Sequence, residues 1–173
     1  MRKLYWKDIA EFVGIAAIVG SLLFVGLQLK QSQEIAIATQ YQTRYDSVSD
    51  YVTNVLQSEP AMRAIGKRVL PRLLKSSTLP DSVKEWASDQ PDDELTFWLL
   101  EAYRTNKGFD NILYQYEAGF ISEESWNGFR AELKRALSIE NSGLRHYFLM
   151  SPEIWRQSYR ELVYEVIAEI DSE

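Results

Sequence analysis

The chain of 173 residues contains no cysteine, which excludes a disulfide framework, a thiol nucleophile and any thiolate-bound metal. It contains one histidine, His146, so imidazole catalysis or a histidine-ligated metal would rest on that side chain alone. A glycine-rich phosphate loop and a nucleophile elbow are both missing, and with them the signatures of nucleotide binding and serine hydrolysis. A cationic surplus is missing too. With Arg2, Lys3, Lys7, Asp8 and Glu11 set apart as the leading flank, 16 cations face 23 acids. That balance is wrong for a surface that displaces counterions from phosphates, so no nucleic-acid partner is expected.

Charge is absent altogether from Phe12 to Leu29, eighteen residues in which Ser21 and Gln28 are the only polar members. As a helix rising ~1.5 Å per residue this run is about 27 Å long, close to the hydrocarbon thickness of a bilayer. A cleaved signal peptide also opens with basic residues and an apolar core, and Ala36-Ile37-Ala38 resembles a cleavage site. The core is longer than a signal core, however, acids Asp8 and Glu11 precede it, and Lys30 to Glu34 push the small residues too far downstream. The run therefore reads as a retained single span over about 9–29, within an anchor of residues 1–30. Arg2, Lys3 and Lys7 outweigh the cations following the span, which places the amino terminus in the cytoplasm and the main domain outside. Tyr5 and Trp6 stand where aromatic rings settle at a headgroup boundary.

Residues 31–173 are enough for one domain with its own core. Ala38, Tyr41, Tyr45, Val48, Val52 and Val55 recur at steps of three and four, predicting that the anchor runs on as an amphipathic stalk over 31–58. That stripe is either a coiled-coil seam or the surface on which the domain folds back. A second helix is expected over Ala61 to Lys75, bent or divided at Pro71, and a short one over Pro80 to Ser88. Pro91 reads as the first helical position of a fourth segment, with Asp92, Asp93 and Glu94 complementing the helix dipole and a break near Gly108. Gly119 is the expected stop, and Ser122 the cap of the next helix. A turn at Asn141 to Gly143, a helix over Leu144 to Met150 and a last helix opened by Ser151-Pro152 complete an all-α bundle of five to seven helices.

Val25 to Glu34 (VGLQLKQSQE), Phe109-Asp110-Asn111, Tyr114-Gln115-Tyr116-Glu117, Gly119, Trp126 and Gly143-Leu144-Arg145 carry a resemblance. Together they are similar to the motifs of an uncharacterised family of single-span bacterial proteins with a helical soluble domain. The family often places tryptophans after that arginine, where this chain has His146, Tyr147 and Phe148. The resemblance implies a bacterial inner-membrane protein and carries no established activity.

Four groups of residues are candidates for function. Ala10, Gly14, Ala17 and Ser21 line one stripe of the span, where small side chains allow another helix to approach closely in lipid. Arg104, Tyr114, Glu117 and Arg145 form either a structural polar network or a pocket for a small anionic or aromatic ligand. Arg63, Lys67, Arg68, Arg72 and Lys75 occur with no acid between Ala61 and Leu74; this basic patch faces solvent or acidic segments such as Asp89 to Glu94, or holds anionic headgroups. His146 reads as a packing residue, and the adjacent acids Asp92 to Glu94 point in different directions on a helix, so no metal, cofactor or catalytic residue is expected. The leading reading is a non-enzymatic, membrane-anchored interaction protein, an accessory or docking subunit of a larger membrane assembly. Its partners are the lipid bilayer and another membrane protein or a second copy. The alternative is a membrane-tethered ligand-binding domain.

Overall fold

The computed structural model describes residues 6–139 and 142–173; Arg2, Lys3 and Tyr5 of the leading flank and Asn141 of the expected turn lie outside the described residues. Among the described residues every regular element is helical. In chain order these are α1 (Trp6–Leu56), α2 (Glu59–Leu74), α3 (Asp81–Asp89), α4 (Asp92–Glu117), α5 (Glu123–Ser138), α6 (Gly143–Met150), a 3₁₀ turn (Pro152–Ile154) and α7 (Gln157–Asp171). The chain divides into two compact units, Met1–Gln40 and Tyr41–Glu173, so α1 contributes to both.

In the first unit every side chain from Trp6 to Ile37 is exposed. This stretch of α1 is the one part of the described chain long and apolar enough to cross a membrane, and none of its most apolar eighteen residues is buried.

The second unit builds its core on two clusters. Leu113, Trp126, Leu133, Phe148, Tyr159 and Val163 centre one, formed by α4, α5, α6 and α7; Leu73, Val83, Ala87, Leu95 and Leu99 centre the other, formed by α2, α3 and α4. Tyr147 packs against both. The later part of α1 also belongs here. Val52 is fully buried, worth about 1.5–3 kcal/mol for a side chain of this kind, and Tyr41, Tyr45, Val48 and Val55 are partly buried. From Tyr41 onward the stripe is therefore covered by the chain's own helices, and the fold-back alternative is the one realised.

Helix ends follow local chemistry. Ser122 Oγ accepts the Ser125 N–H at 3.3 Å, and Ser58 and Ser142 cap α2 and α6 in the same way. At the end of α4, Gly119 takes φ +78°, the Phe120 N–H reaches Gln115 O and the Gly119 N–H reaches Tyr116 O, both at 2.9 Å. This is a Schellman stop, and it requires the left-handed residue that glycine supplies.

Three expectations about breakers are corrected, and one is narrowed. At Pro71, where a bend or a division is expected, α2 does not divide, and buried Leu73 holds the last turn against the core. Pro91 is the N-cap of α4, with ψ 146°, and not its first helical residue. Gly108 does not break α4; it faces the Tyr45 ring, whose Cε2 stands 3.4 Å from where a Cβ would lie, and the helix continues through buried Asp110, Asn111 and Leu113. Ser151-Pro152 opens only the 3₁₀ turn, and α7 starts at Gln157. Trp155 is 3% exposed with ψ 152°, so sinking its ring into the core keeps the chain extended before the helix begins.

The closest crossing joins α2 to α4. A Cβ on Gly66 would overlap the Asp92 carbonyl, and one turn away the buried Thr96 hydroxyl bonds Met62 O at 2.6 Å and Asp92 O at 2.9 Å. Backbone cannot rotate aside as a side chain can. Gly66→Ala is therefore expected to destabilise by about 1–3 kcal/mol through overpacking, despite the better helix propensity of alanine. Gly128→Ala, on an exposed position of α5 with nothing within 4 Å, should instead stabilise by roughly 0.5–1 kcal/mol. Thermal unfolding followed by circular dichroism checks both signs, and a neutral Gly66→Ala would contradict the crossing.

Candidate functional site

Three stretches of the second unit enclose a cavity of about 290 Å³. The later part of α1 supplies Tyr41, Arg44, Tyr45 and Val48, and α4 supplies Tyr103, Lys107, Asp110 and Asn111. Both sets recur at three- and four-residue steps, so each lies on one helix face. Ile154, the last residue of the 3₁₀ turn, and Arg156, just before α7, close the third side.

Arg156 organises the floor. Its Nε donates to Asp110 Oδ1 at 2.7 Å, Nη2 to the Asp110 carbonyl at 3.1 Å and Nη1 to Glu117 Oε2 at 2.8 Å. Its guanidinium carbon stands 5.2 Å and 5.8 Å from the ring centroids of Tyr114 and Tyr41, which stack 3.7 Å apart at an interplanar angle of 10°. Burial pushes the Asp110 carboxyl above the ordinary carboxylate range, against the pull of the Arg156 guanidinium. Arg156 is the main influence favouring the charged carboxylate.

A turn earlier on α4, fully buried Asn106 spends every group it has. Its Nδ2 donates to Ala102 O and Leu144 O at 2.9 and 3.2 Å, and its Oδ1 accepts the Tyr159 hydroxyl at 2.8 Å. Burial, and then Asp110, drive the Tyr159 hydroxyl well above its ordinary pKa. It is a fixed donor.

The other two cations of the cavity stand differently. Lys107 lies over the Trp155 ring, 4.5 Å from its centroid, and 5.8 Å from that of Tyr103, with no carboxylate oxygen within 4.0 Å among the described residues. Burial lowers its pKa, partly offset by Asp110. Arg44 is exposed, 5.6 Å from the Tyr41 centroid, and likewise makes no ion pair among the described residues.

The four residues expected to form one network are not brought together. Tyr114 and Glu117 meet through Arg156, but Arg104 pairs with Glu101 at 2.6 Å along its own helix and lines a different cavity beside Phe109 and Phe129. Arg145 binds both oxygens of Asp171 at 2.9 Å on another side of the bundle. Spacing identifies neighbours within α4, whereas Arg156 is 46 residues from Asp110 in sequence, which no local pattern announces. Asp110 and Asn111 had a signal, since both fall in the Phe109-Asp110-Asn111 motif; Asn106, Lys107 and Tyr159 had none beyond helical periodicity.

The remaining candidates stay at the surface. Ala10, Gly14, Ala17 and Ser21 are exposed, and nothing lies within 4 Å of a Cβ placed on Gly14. Arg63, Lys67, Arg68, Arg72 and Lys75 are also exposed; Arg63 pairs with Glu59, and the other four make no ion pair among the described residues. His146 borders a third cavity with Ser138, Ser142 and Arg145. Burial, then Arg145, lower its pKa, and its Nδ1 lacks a partner among the described residues. The neighbouring Ser142 hydroxyl is already engaged with Ala136 O at 2.6 Å. Among the described residues no three His, Cys, Asp or Glu side chains cluster to hold a metal ion. Comparison with protein-family models, curated proteins and solved structures finds no match to the chain.

Removing Arg156 leaves a carboxylate buried without its cation. Arg156→Met is expected to cost about 2–4 kcal/mol, somewhat below the range for fully enclosed pairs because 22% of the Arg156 side chain is exposed. Adding Asp110→Asn should recover part of that loss in urea unfolding. In Arg156→Met the folded-state pKa of Asp110 rises further above its unfolded value, so the protonated form is favoured by folding. The loss should therefore be smaller near pH 5 than at pH 8. Equal losses at both pH values, with additive single and double variants, would refute the pairing.

Proposed function

We propose that this chain is a non-enzymatic, membrane-anchored interaction protein, an accessory or docking subunit of a larger membrane assembly. The observation that carries this reading is the exposure of every side chain from Trp6 to Ile37, around an apolar stretch long enough to cross a bilayer. So much apolar surface needs lipid around it. The stripe of Ala10, Gly14, Ala17 and Ser21 supplies a face on which a second span, of another membrane protein or another copy, packs by close backbone approach. In this reading the protein is single-pass in a bacterial inner membrane, its amino terminus cytoplasmic and residues 31–173 outside, as the cations before the span favour. The acidic balance of the domain is consistent with protein partners and not with nucleic acid.

A second reading, a membrane-tethered ligand-binding domain, is favoured by the cavity between Tyr41 to Val48, α4 and Arg156. Concave, partly apolar sites with a few fixed polar groups are the usual form of small-molecule sites. The single histidine, with its pKa lowered by burial and a neighbouring serine already bonded, supports binding over catalysis in both readings.

The two are separated by extracting the tagged full chain from its native membrane in mild detergent and identifying what travels with it. A stoichiometric membrane protein is expected, and Gly14→Leu with Ala17→Leu should reduce its recovery several-fold while leaving the helical signal unchanged. Undiminished recovery in that double variant would remove the stripe as the contact.

A further inference from the structure

The charges around the cavity are unevenly spent. Arg156 is bonded to Asp110 and Glu117 on three of its nitrogens, so the floor is satisfied from within. Lys107 and Arg44 border the same space with no carboxylate oxygen within 4.0 Å among the described residues. Arg44, Lys107 and Arg156 together outnumber Asp110, the one acid lining the cavity, in a chain whose net charge is −6. A cationic recess on an acidic protein concentrates anions.

The other side chains and the size of the cavity narrow the ligand. Asn111 is 8% exposed, and its Oδ1 has no hydrogen-bond partner among the described residues. The orientation of its amide is determined by its neighbours. Gln42 Nε2 donates to Asp46 at 2.9 Å, which leaves Gln42 Oε1 to accept from Asn111 Nδ2, also at 2.9 Å. Asn111 Nδ2 thereby ties α4 to α1, while its Oδ1 is fully enclosed and not open to the cavity. The rest of the lining is Tyr41, Tyr45, Tyr103, Val48 and Ile154. A volume near 290 Å³ sits at the lower end for ligand sites, so the occupant is small.

Building on the ligand-binding reading above, we propose that this cavity binds a small carboxylate with an apolar or aromatic body. Lys107 and Arg44 take the carboxylate, and Tyr41, Tyr45 and Tyr103 flank the body. Partial burial already disfavours the Lys107 ammonium, and an anion beside it relieves that penalty.

The test is calorimetry and thermal shift on the full chain in detergent, with mandelate, phenylalanine, phenylacetate, benzyl alcohol and inorganic phosphate as probes. Mandelate, phenylalanine or phenylacetate is expected to bind and raise Tm. Benzyl alcohol, which lacks the carboxylate, should bind about tenfold more weakly. Lys107→Met and Arg44→Ala should each weaken binding by about tenfold, and Lys107→Arg should retain most of it. Arg44 is exposed, so its variant reads binding independently of folding. Benzyl alcohol or phosphate binding more tightly than every carboxylate would overturn the ligand class while leaving a binding cavity in place. Carboxylate binding unaffected by both Lys107→Met and Arg44→Ala would overturn the site. No binding by any probe would overturn this proposal, and the anchor-based reading, tested by co-purification, would stand separately.

Discussion

The buried ion pair between Asp110 and Arg156 is the constraint around which the second unit is arranged. A carboxylate 7% exposed is tolerable only with its cation beside it, and the cation arrives from a residue 46 positions away. Arg156 reaches it because Trp155 is sunk in the core and the chain is still extended there, so that the guanidinium lies along α4 before α7 starts. Asn106 and Tyr159 repeat the connection a turn earlier. Directional bonds of this kind set the rotation of α7 about its axis, which apolar contacts alone leave loosely specified.

Ion pairs elsewhere on the domain are of a different order. Arg130 bonds Glu165 and Glu169, Lys134 bonds Glu169 and Glu173, and Arg145 bonds Asp171. These tie α5 and α6 to α7 across water-exposed surface, where each pair contributes about 0–1 kcal/mol. The apolar clusters on either side of α4 supply the larger share of stability, and the surface pairs add orientation. Among the ion pairs of the described residues, Asp110 and Arg156 form the most buried one, and that pair leaves Lys107 and Arg44 as the cations of the cavity not already held by an acid.

Much of the architecture was legible in advance. The three- and four-residue recurrence from Tyr41 to Val55 marked the face of α1 that is buried, and the left-handed Gly119 and the Ser122 cap stood where composition placed them. The breakers were read less well. Proline and glycine propensities amount to about 1–3 kcal/mol each, and burial of Leu73, Asn111 and Leu113 beyond Pro71 and Gly108 outweighs them. The polar site was legible only in part: Tyr114 and Glu117 were recognised, but Arg104 and Arg145 were grouped with them although each is satisfied elsewhere.

The residue order by itself determined the helical class, the uncharged run from Phe12 to Leu29 and most helix ends, because turn spacing, capping and apolar length are local properties read within a few residues. Tertiary structure alone decided that Arg156 is the partner of Asp110, that Gly66 admits the backbone of Asp92, and that Lys107 and Arg44 share a cavity with Asn111. Those outcomes depend on the angle and depth at which helices cross. Crossing geometry comes from the packing of whole faces against one another, and no window of neighbouring residues contains it.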